Sequence, residues 1–469
     1  MDQWLRSALD YIPHWIEFQM RASQQPGCIV AIAHRGVIVL EQAFGSANLA
    51  TGEALTPRHR FRVASHSKSF TAAGIMKLRE QDRLKLDDRA GQYIENLHPA
   101  VSEATIAQLL SHSAGLVRDG ADAGYFSDRR PFPDEAELRA ILAEAPPIPA
   151  NTRFKYSNHG FGLLGLIIAA ITGEPYTKWI RREVVDAVEL RETEPDMPVP
   201  AGTPMARGHS AKIPLGRRVV IPGDNPVNAW AAAGGFISTA ADLARFFSQL
   251  NPSAAASLLS VASRREMIRR QWRDEGATGE RHYGLGIMSG RVAGCDWFGH
   301  GGAFQGFISQ TVMLLEHGIT LSIVTNTIER LANSWAEGVI HIIAEFARRG
   351  APNDRVRGWG GRWWNLWYPF DLVPMGDRVL VAAPTQLNPF ADASEIAVSS
   401  TDEGRIVVGP GMRNPGEPAE RLRAAGGDVE GVRLGGTLLV PEAEIVAELE
   451  ARYGRRSSTA GVTSTAKSL

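Results

Sequence analysis

Apolar and polar positions change their spacing several times along the chain. Trp4, Ala8, Tyr11, Trp15 and Phe18 recur at helical intervals, with Asp2, Arg6, Asp10, His14 and Glu17 between them. That pattern predicts one amphipathic helix, with Pro13 as a candidate kink. Residues 27–34 and 37–44 are β-rich runs separated by Arg35-Gly36, a hairpin signal. Helical patterns follow over 66–78, 105–110, 134–145, 161–171, 176–188 and 240–250, with Pro146-Pro147-Ile148-Pro149 and Gly173 as stops. Residues 191–228 are rich in Pro and Gly and read as a long surface excursion able to fold over a site. The runs 307–315 and 319–325, joined by Glu316-His317-Gly318, predict a strong antiparallel hairpin, and 331–346 a helix. Helices bracketing a sheet built from both ends of the domain give an α+β layer arrangement.

Beyond a linker at 348–354 the pattern switches to short strands, 363–368, 378–383, 395–399, 405–408, 431–434 and 437–440. Short strands punctuated by Gly and Pro predict a small β-barrel or sandwich. The domain organisation is therefore 1–348, 355–453 and a Ser/Thr-rich, disordered tail at 454–469. The aromatic cluster Trp359, Trp363, Trp364, Trp367 and Tyr368 reads as barrel core, with a stacking platform for a sugar or base as the alternative.

Composition narrows the partners. With 50 basic and 51 acidic residues the formal net charge of the 469-residue chain is −1, and no long block of one sign appears, which argues against nucleic acid. Charged residues interrupt every apolar run in residues 1–20, so that segment reads as neither a signal peptide nor a membrane span. The two cysteines, Cys28 and Cys295, lie among apolar residues and imply buried thiols in a reducing compartment. The expected location is the cytoplasm.

The candidate chemistry starts at Phe61-Arg62-Val63-Ala64-Ser65-His66-Ser67-Lys68. A strand end running into a helix puts Ser65 at the helix N-terminus, where unpaired backbone N–H groups stabilise negative charge. Lys68 follows one turn later on the same face. A buried lysine of lowered pKa beside a serine can take its proton, which is the Ser-x-x-Lys arrangement for acyl transfer. Read alone, Ser65 is equally a helix N-cap beside an exposed lysine, and Ser464-x-x-Lys467 in the tail fits the same spacing. Tyr156-x-Asn158 supplies a phenol able to relay a proton and an amide able to fix Lys68 or a substrate. His300-Gly301-Gly302 is a less specific pattern, shared by His34-Arg35-Gly36 and His282-Tyr283-Gly284, but two glycines there let backbone approach a ligand. No His-Glu-x-x-His, paired cysteine ligands or phosphate-cradling Gly-x-x-x-x-Gly-Lys occurs, so neither metal nor cofactor is implied.

In chain order, Ser65-x-x-Lys68, Tyr156-x-Asn158 and His300-Gly301-Gly302 resemble the three signatures of the serine β-lactamase and penicillin-binding-protein-like hydrolases, in particular the class C β-lactamase, D-aminopeptidase and esterase branch. The resemblance covers about residues 26–346 and extends to 109–116 and 232–239. It implies a β-lactamase/transpeptidase-like antiparallel sheet flanked by helices, an all-helical lobe, and a lipocalin-like C-terminal barrel. It also implies roles. Ser65 is the nucleophile, Lys68 its base, Tyr156 a proton relay whose phenol is shifted by cationic neighbours, and Asn158 a partner of Lys68 or substrate. The N–H groups of Ser65 and Ala303 form an oxyanion hole, His300 joins Ser65, Lys68, Tyr156 and Asn158 as a catalytic residue, and Gly301 and Gly302 bind the substrate. Where β-lactamases and carboxypeptidases have Lys-Thr-Gly, His300 replaces a permanent cation by a group mostly neutral near pH 7. The expected activity is an acyl-enzyme hydrolysis of amide or ester bonds in small peptide-like compounds, D-residue-containing ones included. A carboxylesterase or β-lactamase-type hydrolase is the alternative within the family, and a catalytically silent peptide-binding or structural protein the alternative outside it. No membrane partner is expected, and a homo-oligomer stays open.

Overall fold

The two strands of the expected hairpin after His300 lie side by side near the middle of a sheet. In the computed structural model, which describes residues 1–277, 279–409 and 414–454, strands Phe307–Leu314 and Ile319–Thr325 pair antiparallel from Ile308↔Thr325 to Leu314↔Ile319. Every residue of both strands is buried, the polar Ser309, Gln310, Thr311, Thr320, Ser322 and Thr325 included. Strand Gly27–His34 pairs with the far side of Ile319–Thr325, Cys28 opposite Thr325 and His34 opposite Ile319. The first and last strands of the domain thus become neighbours. The full sheet has nine antiparallel strands in the order Glu53–Ala54, Val37–Asn48, Gly27–His34, Ile319–Thr325, Phe307–Leu314, Cys295–Phe304, Met288–Val292, Arg281–Tyr283, Trp272–Arg273. Helix Ala240–Gln249, capped by Thr239, packs on the two central strands at this join.

Chain between the sheet's two halves forms a helical lobe. Its axis is helix Asn158–Thr172, with ten of its residues buried and Gly173 closing it at a φ of 73°. Helix Ser67–Glu80 packs against it, and both touch the single wide π-helical turn Ala231–Gly235. The excursion at 191–228 is tied down by one buried cation. Arg62 Nη1 donates to the carbonyls of Gly223 (3.0 Å) and Asn225 (2.8 Å), and its guanidinium lies 4.1 Å from the Phe304 ring centroid.

Contacts divide the chain into two compact units, Met20–Ile340 and Met1–Gln19 with His341–Leu469. The second unit holds an eight-stranded meander running in chain order from Gly361–Trp364 to Thr437–Leu439. Trp364 and Val440 exchange backbone hydrogen bonds of 2.8 Å, which brings the ends of the meander together into a nearly closed barrel. Its interior is filled by Leu372, Val379, Val381, Ile396, Ile406, Ala419 and Val432 with Trp359. Part of the N-terminal helix Gln3–Ser23 belongs to this unit. Pro13 lies inside the unbroken helix, Tyr11 donates to Asp371 (2.8 Å), and Asp371 also receives both ends of the Arg362 fork.

Some expectations about these elements are corrected. The strand predicted over 363–368 ends at Trp364, because the Asn365 side chain accepts from the N–H groups of Trp367 and Tyr368 at 2.8 Å and turns the chain. The aromatic cluster accordingly divides. Trp359 is core, whereas Trp367 and Tyr368 are 75% and 58% exposed. Strands Pro369–Met375 and Pro418–Arg423 were not expected, and the predicted disordered tail and Ser464-x-x-Lys467 lie outside the described residues, apart from Gly454. Cys28 and Cys295 are buried free thiols. Among the described residues no single helix is long and apolar enough to cross a membrane.

Candidate active site

The chain reaches Ser65 through a strained corner. Strand Phe61–Arg62 pairs with Ile237–Ser238, and the Val63 N–H donates to the Phe236 carbonyl. Ala64 then takes a φ of +47°, a left-handed conformation that costs a residue bearing Cβ. Ser65 follows in a single tight 3₁₀ turn, Ala64–His66, and the α-helix begins at Ser67. Ser67 clamps the corner, its hydroxyl donating to the Ala64 carbonyl (2.5 Å) and accepting from the Phe236 N–H (3.0 Å). Ser65 is only half-buried, while Lys68 in the first helical turn is completely buried.

Four of the predicted residues meet around the Ser65 hydroxyl. Lys68 Nζ lies 3.2 Å from Ser65 Oγ, 2.7 Å from Asn158 Oδ1 and 2.6 Å from the Ala233 carbonyl. The Tyr156 hydroxyl lies 2.8 Å from Ser65 Oγ. The Tyr-x-Asn pair is placed by the start of helix Asn158–Thr172. Ser157 is its cap, accepting from the Gly160 N–H (3.0 Å) and donating to the Val117 carbonyl (2.6 Å). Tyr156 therefore stands outside the helix and Asn158 is its first residue.

Burial pushes the Lys68 amine well below its usual range; Asp119 opposes the shift and Arg118 adds to it. A neutral amine has two N–H bonds and one lone pair. The Asn158 amide oxygen and the Ala233 carbonyl can only accept, so they take the two N–H bonds, and the lone pair is left facing Ser65. Burial also pushes the Tyr156 phenol up, outweighing the opposite pull of its Ser65 hydrogen bond and of Arg118. The expected depression by cationic neighbours is thus corrected. Lys68 Nζ and the Arg118 guanidinium sit 4.8 and 5.4 Å from the centre of the Tyr156 ring, against its face. Tyr156 stays protonated and donates to Ser65.

The His300 segment enters from the sheet. Strand Cys295–Phe304 pairs on one side with Phe307–Leu314 along its length, but its pairing with Met288–Val292 stops at Gly299. From His300 onward that second edge is open, and the backbone before Ser65 approaches there. A Cβ at Gly302 would stand 2.1 Å from the Val63 carbonyl oxygen, and one at Gly301 2.7 Å from Gln310 Oε1. Only glycine at 302 lets the strand lie against the corner. Ala303, the next residue, is exposed.

His300 itself is not in the cleft. Its side chain is fully buried, and Nδ1 meets the Gly301 carbonyl at 2.7 Å while Nε2 meets the Tyr283 hydroxyl at 2.9 Å. A carbonyl only accepts, so Nδ1 carries the hydrogen and Nε2 accepts from Tyr283. Burial, with His66 beside it, holds the imidazole well below its usual range. His300 is a neutral group that fixes the backbone of Gly301.

Four contributors were not assigned from sequence. Asp119 Oδ1 accepts from Asn158 Nδ2 at 2.6 Å, and Asp119 Oδ2 pairs with Arg118 Nε at 3.0 Å. The His112 ring packs 4.2 Å from that of Tyr156, and its Nδ1 accepts from the Ser157 N–H at 3.1 Å. Tyr283 holds His300. Arg118 and Asp119 read as ordinary polar loop residues, and nothing in their spacing points to Asn158. His112 lies in the 109–116 stretch, where only its place in the motif marks it. The nearby Ser113 is buried and shares a 3.1 Å hydrogen bond with Ser111, so it is a packing hydroxyl.

A model of the Beta-lactamase family matches residues 12–336. Protein flp of Staphylococcus aureus (strain COL) is 26% identical over 182 residues, covering 38% of this chain and 36% of flp. The D-aminopeptidase of Brucella anthropi is 25% identical over 293 residues, covering 61% of this chain and 53% of that protein. The chain therefore spans about a third of the first curated relative and about half of the second. Among solved structures, the octameric penicillin-binding protein homologue from Pyrococcus abyssi shares the fold with a TM-score of 0.66 at 21% identity, over 92% of this chain and 99% of that one. With the family match running over more than half of the sequence and through the Ser65, Tyr156 and His300 segments, this protein belongs to the Beta-lactamase family.

Proposed function

We propose that the protein is a serine hydrolase working through an acyl-enzyme on amide or ester bonds of small peptides or peptide-like compounds, D-residue-containing ones included. The observation that carries this reading is the pair of contacts at one hydroxyl, Lys68 Nζ at 3.2 Å and Tyr156 OH at 2.8 Å from Ser65 Oγ. Lys68 takes the Ser65 proton as the oxygen attacks the substrate carbonyl carbon. The carbonyl oxygen becomes an oxyanion held by the N–H groups of Ser65 and Ala303, a pair in which each donor is worth roughly 3 to 4 kcal/mol. The bond to the leaving group then breaks, and that group receives the proton from Lys68 by way of Tyr156. Water attacks the resulting ester, its proton passing to the same base, and Ser65 regains its hydrogen as the acid departs.

The D-aminopeptidase relative supports the substrate class. The neutral, buried His300 supports it too, since it offers no cation to a substrate carboxylate. Turnover of β-lactams or of a free C-terminal D-alanine is correspondingly disfavoured. The test is a fluorophosphonate label together with a panel of D- and L-aminoacyl anilides, acyl esters and a chromogenic β-lactam. The intact protein is expected to label at Ser65, and Ser65→Ala to lose the label and on the order of 10⁴-fold in turnover. An unlabelled protein whose behaviour is unchanged in Ser65→Ala is a binder, and the hydrolase reading then fails.

A further inference from the structure

Asn158 lies between an acceptor and a donor. On one side Asp119 is a carboxylate, which has no hydrogen to give, and Asn158 Nδ2 donates to it at 2.6 Å. On the other side Asn158 Oδ1 receives an N–H of Lys68 at 2.7 Å. An asparagine amide can turn over, exchanging its oxygen and nitrogen at little intrinsic cost. In the reversed orientation the NH₂ would face the Lys68 amine and donate to its lone pair, the same pair that faces Ser65. The base would then be occupied. Asp119 forbids that orientation, because reversal would set an amide oxygen against a carboxylate oxygen.

We infer that Asp119 is the positioning residue of the base: by accepting from Asn158 it keeps the amide oxygen toward Lys68 and the lone pair of Lys68 free for Ser65. This rests on the hydrolase reading above. Asp119 is suited to the task. Its side chain is only 18% exposed, and its second oxygen is held by Arg118. The loop that carries it is anchored on the same structural element, with the Asn158 N–H donating to the Arg118 carbonyl at 3.0 Å and the Ser157 hydroxyl to that of Val117.

Charge gives the inference a second, separable readout. The ionisable groups around Lys68 are His66 in the turn before its helix, His112, Arg118 and Asp119 on the loop after Leu110, Tyr156 before the next helix, and His300 on the sheet. His66, His112 and His300 are buried and held neutral, and Tyr156 is protonated. Asp119 and Arg118 are therefore the charges that act on the amine. Removing the Asp119 charge removes an attraction for the ammonium form and leaves Arg118 uncompensated, and both effects make Lys68 easier to deprotonate. Because turnover needs the neutral amine, the acid limb of kcat/KM against pH moves to lower pH.

The experiment measures kcat, KM and the pH profile for wild type, Asp119→Asn, Asp119→Glu and Asp119→Asn in an Asn158→Ala background, with Ser65→Ala as control. Asp119→Asn is expected to lose about 10- to 100-fold in kcat with KM nearly unchanged, and to shift its acid limb down by about half a pH unit or more. Asp119→Glu keeps the limb near the wild-type position. In the Asn158→Ala background Asp119→Asn costs no further kcat but still shifts the limb. A wild-type kcat and limb in Asp119→Asn overturns the inference, as does a kcat loss of equal size in both backgrounds, while inactive Ser65→Ala leaves the hydrolase reading intact. Full activity in Ser65→Ala removes that reading and the inference with it.

Discussion

At the scale of single residues, the site depends on charge states that burial sets. Lys68 is fully buried, and burial is the largest influence on it. Its pKa in the folded state lies below the unfolded value of about 10.4. The unfolded chain therefore binds one more proton than the native one between those two values, and stability rises with pH across that window. The contribution is complete above about pH 10.4 and is lost as the pH falls through the native value. Chemical denaturation of wild type beside Lys68→Met should show this directly. The wild type gains stability relative to the variant as the pH is raised from neutral toward 10, and a difference independent of pH would mean that Lys68 is charged in the native state. In the proposed mechanism the same amine is the base, so the stability curve and the acid limb of turnover are expected to report one group.

At the scale of elements, the decisive contact is a strand edge lying on a backbone corner. Gly302 makes it possible, since a Cβ there would stand 2.1 Å from the Val63 carbonyl oxygen and 2.7 Å from Ser309 Oγ. Gly302→Ala must push the strand and the Ser65 corner apart by an amount comparable to a bond length, and loss of about 100-fold or more in kcat/KM is expected. Gly276→Ala, where the nearest atom to a new Cβ is 3.5 Å away, should remain close to wild type in the same assay. Elements with a strong period were legible in sequence, among them the hairpin of Phe307–Leu314 with Ile319–Thr325 and the helix over 240–250. Strands Arg281–Tyr283, Met288–Val292 and Pro418–Arg423 were not. They carry charged residues and a glycine in place of an alternating apolar pattern, and their β structure comes from ladder hydrogen bonds to the adjoining strands. Pro369–Met375 was hidden by its prolines, which ordinarily argue against a strand.

At the scale of the whole molecule, each of the two compact units has its own apolar centre, and the barrel's consists of side chains. Ile396 is fully buried within it. Ile396→Ala should destabilise the barrel by about 2 to 5 kcal/mol, the usual cost of opening a cavity of that size. Urea titration followed by tryptophan fluorescence checks this, Trp359 being in the same cluster, and a change under 1 kcal/mol (about half the smallest expected cost) would mean that the barrel interior is loosely packed.

The sequence by itself determined which side chains are available for the proposed chemistry and where they lie along the chain. Ser65 and Lys68 had to lie one turn apart because of their spacing, Tyr156 and Asn158 had to lie just before the apolar helix expected over 161–171, and the glycines after His300 had to mark a close backbone approach. Those are local consequences of dihedral geometry and side-chain type. Tertiary structure alone decided that Asp119 fixes the orientation of Asn158, that His112 backs Tyr156, that His300 turns inward to Tyr283, and that burial outweighs nearby cations at the phenol. Protonation and hydrogen-bond direction depend on what surrounds a group in space, and those surroundings come from segments with no periodic relation along the chain.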